Sequence, residues 1–173
     1  MGELPAVLLV MGVSGSGKTT VAALLAGRLG WELADADDFH PPANVCKMHG
    51  GTPLDDADRM PWLQSLAAWI DANRVTGRHG VLACSALKRG YRDILVGRRS
   101  DVRLVFLQGD EPLITGRQAA RHHHYMPASL VHSQFAALEV PGPDERPLTV
   151  SVMPTPPEIA DEIVRQLGAR PLA

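Results

Sequence analysis

Apolar residues along the chain fall into two patterns, short continuous runs and longer stretches with helical spacing. The continuous runs predict strands at residues 6–11, 31–34, 80–84, 102–107 and 148–152. Helical spacing predicts helices at residues 21–29, 62–75, 91–96, 110–121, 127–138 and 157–167, with a short one near 44–48. Strands that alternate with helices favour an α/β fold, in which five parallel strands form a sheet with helices on both faces.

A glycine-rich motif joins the first predicted strand to the first predicted helix. Residues 12–19 read GVSGSGKT, which fits the pattern Gly, four residues, Gly, Lys, then Ser or Thr. In this pattern backbone N–H groups point at phosphate oxygens, Lys18 reaches the β and γ phosphates, and the Thr19 hydroxyl binds Mg²⁺. The motif predicts a nucleoside triphosphate site formed by Gly12, Val13, Ser14, Gly15, Ser16, Gly17, Lys18, Thr19 and Thr20.

A glycine turn that binds nothing is the alternative interpretation of residues 12–19. Average composition makes an accidental match in a chain of this length an event of about 1%. Nucleotide binding alone does not establish catalysis, because switches and motors use the same kind of loop. The sequence contains neither Asp-x-x-Gly nor Asn-Lys-x-Asp, the patterns of a guanine-nucleotide switch, so phosphoryl transfer to a small acceptor is favoured.

Three carboxylates follow the second predicted strand, in the segment ADADDFHPP. If the strand geometry continues, Asp35 and Asp37 point the same way, and both face the phosphate loop at the carboxyl edge of the sheet. One carboxylate would then lie near Mg²⁺ and the other near the attacking hydroxyl. A solvated acidic turn is the alternative.

Cations for the transition state must come from outside the phosphate loop. Arg117 and Arg121 are four residues apart on a predicted helix and therefore share one face, next to a possible lid that continues through residues 122–125. Arg59, Lys88 and Arg92 lie near predicted strand ends. Each of these three could bind an anionic acceptor or be an ordinary surface charge, and spacing alone leaves both interpretations open.

Composition bounds the class of protein. The 173 residues, 45% of them apolar, predict one domain over residues 1–173. The net charge of -2 gives no basic field for nucleic acid or an anionic membrane. Two cysteines, the lack of a signal-like start and the lack of a long apolar stretch predict a cytoplasmic protein without membrane segments.

Nearly the whole chain resembles the gluconokinases, small relatives of shikimate kinase and the nucleoside monophosphate kinases. Four segments besides the glycine-rich motif carry the resemblance: DADDFHPPANVCKM at 35–48, PLDDADRMPWL at 53–63, CSALKRGYRD at 84–93 and SQFAALEVPGPDE at 133–145. The resemblance implies a three-layer α/β/α P-loop NTPase fold, similar to nucleoside monophosphate kinases, with a helical lid at about residues 110–127. It also implies transfer of the ATP γ-phosphoryl group to the 6-hydroxyl of D-gluconate, a requirement for Mg²⁺, and a homodimer.

The resemblance also implies roles for individual residues. Asp37 would accept the hydroxyl proton, and Asp35 would hold the Mg²⁺ shell. His40, Arg59, Lys88 and Arg92 would surround the sugar acid, Arg117 and Arg121 would belong to the lid, and Pro143 would lie near adenine. The chain departs from the family pattern at Ala36, where glycine is common, and at His123 and Tyr125 in the lid. A kinase for another small hydroxy acid, such as shikimate, and a non-catalytic nucleotide-binding regulator are the alternatives.

Overall fold

The computed structural model describes residues 4–120 and 128–170, and a sheet of five parallel strands runs through this part of the chain. The strands lie in the order β2-β3-β1-β4-β5. Their bounds are β1 Val7–Met11, β2 Glu32–Asp35, β3 Gly80–Ala83, β4 Val102–Gln108 and β5 Leu148–Ser151. Every residue of β1 and β3 is buried, as expected for continuous apolar runs in a sheet covered on both faces. The predicted α/β fold with five parallel strands is confirmed.

Helices cover both faces of the sheet. They are α1 Lys18–Leu29, α2 Pro42–His49, α3 Asp56–Thr76, α4 Arg89–Leu95, α5 Glu111–Ala119, α6 Ala128–Ala137 and α7 Pro156–Leu167. Alternate residues of β1 divide between two cores, because successive side chains of a strand point to opposite faces. Leu8 and Val10 pack in a cluster with residues of α1 and α7, whereas Leu9 and Met11 pack in a cluster with residues of α3. The result is the predicted three-layer arrangement.

The parallel register brings several loops to one edge of the sheet. Val10 at the end of β1 pairs with Ala83 at the end of β3, and Ala83 pairs with Asp35 at the end of β2. The loops that follow β1, β2 and β3 therefore start side by side. These are the loops that contain the glycine-rich motif, the acidic segment and Lys88.

Helix α3 begins at Asp56, six residues before the predicted start at residue 62. Asp55 and Asp58 form a capping box, in which Asp58 N–H donates to the Asp55 carboxylate at 2.7 Å and Asp55 N–H donates to the Asp58 carboxylate at 3.1 Å. The first turn of the helix is polar, and Pro61 follows it closely. Apolar periodicity therefore gives no signal for this part of the helix. The early start matters because it places Asp56 and Arg59 on a helix.

Among the described residues, none of the helices combines the length and the apolar character that crossing a membrane requires.

Candidate active site

The glycine-rich loop between β1 and α1 has the backbone that a phosphate cradle requires. Gly15 and Gly17 have φ of 88° and 89°, in the left-handed region that side chains rarely occupy. Gly12 is confined by close neighbours, since a Cβ atom there would lie 2.6 Å from Ser16 Oγ. The three glycines therefore allow the curled loop that residues with side chains would obstruct.

Several groups of the loop are suited to a polyanion. The Ser16 hydroxyl is buried and has no hydrogen-bond partner among the described residues. Burial lowers the pKa of Lys18, an effect that the nearby carboxylates of Asp37 and Asp35 oppose. A buried ammonium group with a lowered pKa gains stability when an anion approaches, so the loop fits a bound triphosphate.

Two glutamine side chains from α5 and α6 approach the same loop. Ser14 N–H donates to Oε1 of Gln134 on α6 at 3.2 Å. The side-chain oxygen of Gln134 thus accepts a hydrogen bond from one of the backbone N–H groups that would bind phosphate. Gln118 on α5 is 6% exposed, and its Nε2 would lie only 2.2 Å from a Cβ atom on Gly15. The sequence analysis singled out neither glutamine, because only the fold brings residues so distant in sequence to the loop.

The two predicted Mg²⁺ ligands lie in direct contact. The Thr19 hydroxyl donates to Oδ2 of Asp35 at 3.1 Å, and Oδ1 of the same carboxylate accepts from Asp37 N–H at 3.0 Å. A hydroxyl and a carboxylate oxygen are suitable ligands for Mg²⁺ or for its water molecules. The pair fits a metal ion between the phosphate loop and the acidic segment.

The condition under which Asp35 and Asp37 would point the same way, a strand that continues to Asp37, is not met. Strand β2 ends at Asp35, and Ala36–Phe39 form a 3₁₀ turn capped by the Asp35 carboxylate. The turn leaves the Asp37 side chain exposed, in front of the phosphate loop. Ala36 has no positive φ, is 2% exposed and accepts a 2.7 Å hydrogen bond from Trp62 Nε1, so alanine fits where the family commonly has glycine.

His40 lies just beyond the acidic turn with its ring stacked on Trp62, at a centroid distance of 4.6 Å and an interplanar angle of 9°. Burial lowers the pKa of His40, and Arg59 contributes in the same direction while Asp37 opposes it. The imidazole is therefore neutral near pH 7. A neutral imidazole can both donate to and accept from sugar hydroxyl groups.

Two of the predicted substrate-binding cations flank one aromatic ring. The Lys88 ammonium lies 5.5 Å and the Arg59 guanidinium 5.9 Å from the centroid of the Tyr91 ring. The Asp56 carboxylate accepts from Lys88 Nζ at 2.8 and 3.0 Å and from the Tyr91 hydroxyl. The Lys88 hydrogen bond, followed by that of Tyr91, lowers the pKa of Asp56 and keeps it anionic. The sequence analysis did not single out Asp56 and Tyr91, although both lie within the segments that carry the family resemblance.

Arg92 is not placed to bind a substrate, contrary to the prediction. It is 1% exposed, and its guanidinium donates to both Glu145 carboxylate oxygens at 2.6 and 3.0 Å. Its Nη1 donates to the carbonyls of Ala86 and Leu87, each at 3.0 Å. Ala86 has a φ of 45°, which is unfavourable for alanine. Arg92 thus fixes the strained loop that presents Lys88.

We expect Arg92→Ala to lower the free energy of unfolding by about 3–5 kcal/mol, since it removes the nearest charged partner of the largely buried Glu145 carboxylate. Urea denaturation measures this loss. Arg89→Ala is the matched control, because Arg89 is 46% exposed and its bond to Asp144 is open to solvent, so its loss is smaller. Equal stability of the two variants would contradict the structural role of Arg92.

Arg117 lies on α5, and its Nη2 donates to the carbonyl of Met153 at 3.2 Å. Met153 follows β5 and is 70% exposed, at the same edge of the sheet as the phosphate loop. Arg121, together with His123 and Tyr125, lies outside the described residues. Of the two predicted lid arginines, the structure therefore places Arg117 near the loop after β5.

The turn that begins at Pro143 packs against α4. Pro143–Glu145 form a 3₁₀ turn before β5, and Asp144 and Glu145 bind Arg89 and Arg92 of α4. The position of Pro143 near adenine stays a prediction.

Comparison with known proteins identifies the family. A family model described as an AAA domain matches residues 7–141. A gluconokinase from Gluconobacter oxydans (strain 621H) is 47% identical over 169 residues, which cover 98% of this chain and 95% of the relative. The chain belongs to the gluconokinase family.

Other gluconokinases and solved structures extend the comparison. The thermoresistant gluconokinase of Escherichia coli (strain K12) is 40% identical over 144 residues, covering 83% of this chain and 82% of the relative. The crystal structure of a gluconokinase from Sinorhizobium meliloti 1021 has a TM-score of 0.85 and 38% identity, covering 96% of this chain and 94% of that one. Shikimate kinase from Aquifex aeolicus, at 15% identity and a TM-score of 0.55, shares the fold.

Membership of the gluconokinase family agrees with the position of the acidic turn and of the cations on α3 and just before α4. Residues of three segments that carried the resemblance follow β2, begin α3 and follow β3, although they are far apart in sequence. Asp35 and Asp37 follow β2, Arg59 is on α3, and Lys88 immediately precedes α4. The chain therefore has a glycine-rich phosphate loop, a carboxylate turn and a pair of cations, Arg59 and Lys88, that follow or adjoin the carboxyl ends of its strands.

Proposed function

We propose that the protein transfers the γ-phosphoryl group of ATP to the 6-hydroxyl of D-gluconate, giving 6-phospho-D-gluconate and ADP. One observation supports this most directly: Asp37, whose carboxylate is exposed, donates its N–H to the Asp35 carboxylate, which in turn accepts from the Thr19 hydroxyl at the phosphate loop. A proton acceptor beside a phosphate cradle is what transfer to an alcohol requires. Gluconokinases that share up to 47% identity with the chain support the choice of acceptor.

In the proposed reaction the 6-hydroxyl oxygen forms a bond to the γ-phosphorus, and the bond from that phosphorus to the β–γ bridging oxygen breaks. The hydroxyl proton passes to the Asp37 carboxylate, which is exposed and therefore accessible to an acceptor. Lys18, Arg117 and Arg121 would offset the negative charge that spreads over the transferred group. The loop amides, including Ser14 N–H after Gln134 moves away, would hold the phosphates in line.

Thr19 and Asp35 would hold Mg²⁺, which would neutralise part of the charge of the phosphates. The contact between the two side chains means that both reach one position from different loops. The Asp35 carboxylate also accepts from Asp37 N–H, so the same side chain would orient the proton acceptor. The metal site and the acidic turn are in this way parts of one arrangement.

The carboxylate of gluconate would bind Arg59 and Lys88, both of which lie within 6 Å of the Tyr91 ring centroid. Lys88 is held by Asp56, so the acceptor carboxylate would share this ammonium group with it. His40, neutral near pH 7, would bind hydroxyl groups along the sugar chain. These contacts would direct the far end of the acid toward Asp37.

We further propose the wider setting implied by the family. The chain would act as one kinase domain over residues 1–173, with residues of about 110–127 forming a lid. It would work in the cytoplasm as a homodimer, without nucleic-acid or membrane partners. The net charge of -2 supports this, because it gives no basic field that would attract nucleic acid or an anionic membrane.

An acceptor panel tests the proposal. Purified protein, ATP and Mg²⁺ are incubated with D-gluconate, with shikimate or with other aldonates, and ADP release is measured with a coupled assay. We expect ADP release to depend on D-gluconate and to stop when Mg²⁺ is chelated. Preference for shikimate or another acid would overturn the acceptor, and ADP release independent of any acid would favour a nucleotide-binding regulator.

A further inference from the structure

A cavity of about 240 Å³ opens at the end of the sheet opposite the phosphate loop. Val102, the first residue of β4, lines it and is in register with Val7, the first residue of β1. The phosphate loop follows Met11, four residues farther along β1, or roughly 13 Å at the rise of a strand. The cavity therefore lies away from the phosphate loop, and the proposed acceptor residues Asp37, His40, Arg59 and Lys88 do not line it.

The lining of this cavity is strongly basic, although the whole chain has a net charge of -2. Among the described residues, six arginines and three acidic residues line it. All three carboxylates are already paired: Asp144 with Arg89, Glu145 with Arg92, and Asp93 with Arg89 at 3.8 Å. The excess of positive charge is therefore not neutralised within the lining.

The six arginines fall into two groups. Arg89, Arg92 and Arg99 are held by carboxylates, Arg99 through two 2.7 Å bonds to Asp71. Within residues 4–120 and 128–170, the second group has neither a side-chain hydrogen bond nor an ion pair, and it consists of Arg98, Arg103 and Arg146. The arginines of the first group are held in place by their carboxylate partners. Those of the second group can donate to a ligand.

The backbone also fixes the position of one of these donors. Arg146 has a φ of 47°, a conformation that costs a residue other than glycine on the order of 1 kcal/mol. Its N–H donates to the Pro143 carbonyl at 3.0 Å and closes the 3₁₀ turn, which Arg89 and Arg92 tie to α4. Arg146 is thus held at the rim of the cavity together with Arg103, which is half-buried on β4.

We propose that this cavity binds a small phosphomonoester of a sugar acid, with its phosphate and carboxylate groups bound by Arg98, Arg103 and Arg146. Planar guanidinium groups match such oxyanions through paired hydrogen bonds. The volume of about 240 Å³ is below the roughly 300–1,000 Å³ of sites for drug-sized ligands and suits a small metabolite. The choice of a sugar acid phosphate rests on the proposed function, because that reaction produces one.

Titration calorimetry tests this site with the full chain and 6-phospho-D-gluconate as the probe. ADP, Mg²⁺ and D-gluconate are present at saturation, so that the catalytic site is filled. We expect one binding event per chain in the wild type and affinity at least about tenfold weaker in Arg103→Ala/Arg146→Ala, which lacks two charged donors. Arg170→Ala, which removes an exposed arginine elsewhere, should bind like the wild type.

Absence of binding in the wild type, or equal affinity in the double variant, would overturn the second site. Circular dichroism checks the fold, and Arg98→Ala/Arg146→Ala replaces the first pair if the loss of half-buried Arg103 unfolds the protein. A negative result in the acceptor panel would bear on the proposed function and not on the second site. If D-gluconate is not phosphorylated, the comparison between the double variant and Arg170→Ala still decides whether the cavity binds the probe.

Discussion

Asp37→Asn is expected to lower kcat by about 10²–10⁴-fold while the affinity for ATP stays nearly constant. Asparagine keeps the size of the side chain and the turn, because the turn is fixed by the Asp37 N–H bond to Asp35 and not by the Asp37 side chain. What it removes is the basic oxygen that would take the proton of the attacking hydroxyl. Steady-state kinetics with D-gluconate, together with nucleotide titration, measures both quantities.

Asp38→Asn is the matched control for this experiment. Asp38 is the next residue of the same 3₁₀ turn, is also exposed, and has no role in the proposed reaction. The substitution changes the net charge by the same amount at almost the same place. If the two variants lose activity equally, the effect of Asp37→Asn is a general effect of charge, and its role as proton acceptor is refuted.

The phosphate loop could be found from the sequence because its requirements are local. Successive residues must supply positive φ at Gly15 and Gly17, a donor at Lys18 and a hydroxyl at Thr19. Each requirement selects a residue type at a fixed spacing, so the pattern itself carries the structure. The buried strands were found for a similar reason, since a strand covered on both faces has a continuous apolar run.

The roles of the arginines on α4 could not be predicted from a local sequence pattern. Arg89 and Arg92 are three residues apart on one helix, yet the first is half-exposed and the second is 1% exposed. Their difference depends on Glu145, which lies 53 residues after Arg92. Long-range packing therefore decides whether an arginine is a structural residue or a free donor, and one sequence does not contain that information.

The start of α3 and the shape of the acidic segment were missed because polar side chains determine both. Asp55 and Asp58 cap the helix, and the Asp35 carboxylate caps the 3₁₀ turn. Apolar periodicity contains no information about such polar interactions, whereas it places the buried middle of α3 correctly. The residues closest to the proposed chemistry are therefore those for which hydrophobic patterning is least informative.

Lys18→Ala is expected to reduce kcat/KM by at least about 10²–10³-fold, the loss typical of removing one donor to developing transition-state charge. The alanine also lacks a cation for the β and γ phosphates, so ATP binding should weaken as well. This differs from Asp37→Asn, for which ATP binding is retained. The coupled assay and nucleotide titration on the two variants separate the two roles.

The stability of the Lys18→Ala variant provides an independent readout. Burial lowers the pKa of Lys18, which means that the fold disfavours its charged form. Replacing it should leave the melting temperature unchanged or raise it, as expected where a site is built for function at the expense of stability. Lys47→Ala is the control, because Lys47 is exposed and bound only to Asp58. Full activity in Lys18→Ala would rule out the phosphate-loop assignment, and a lowered melting temperature would show that Lys18 serves the fold.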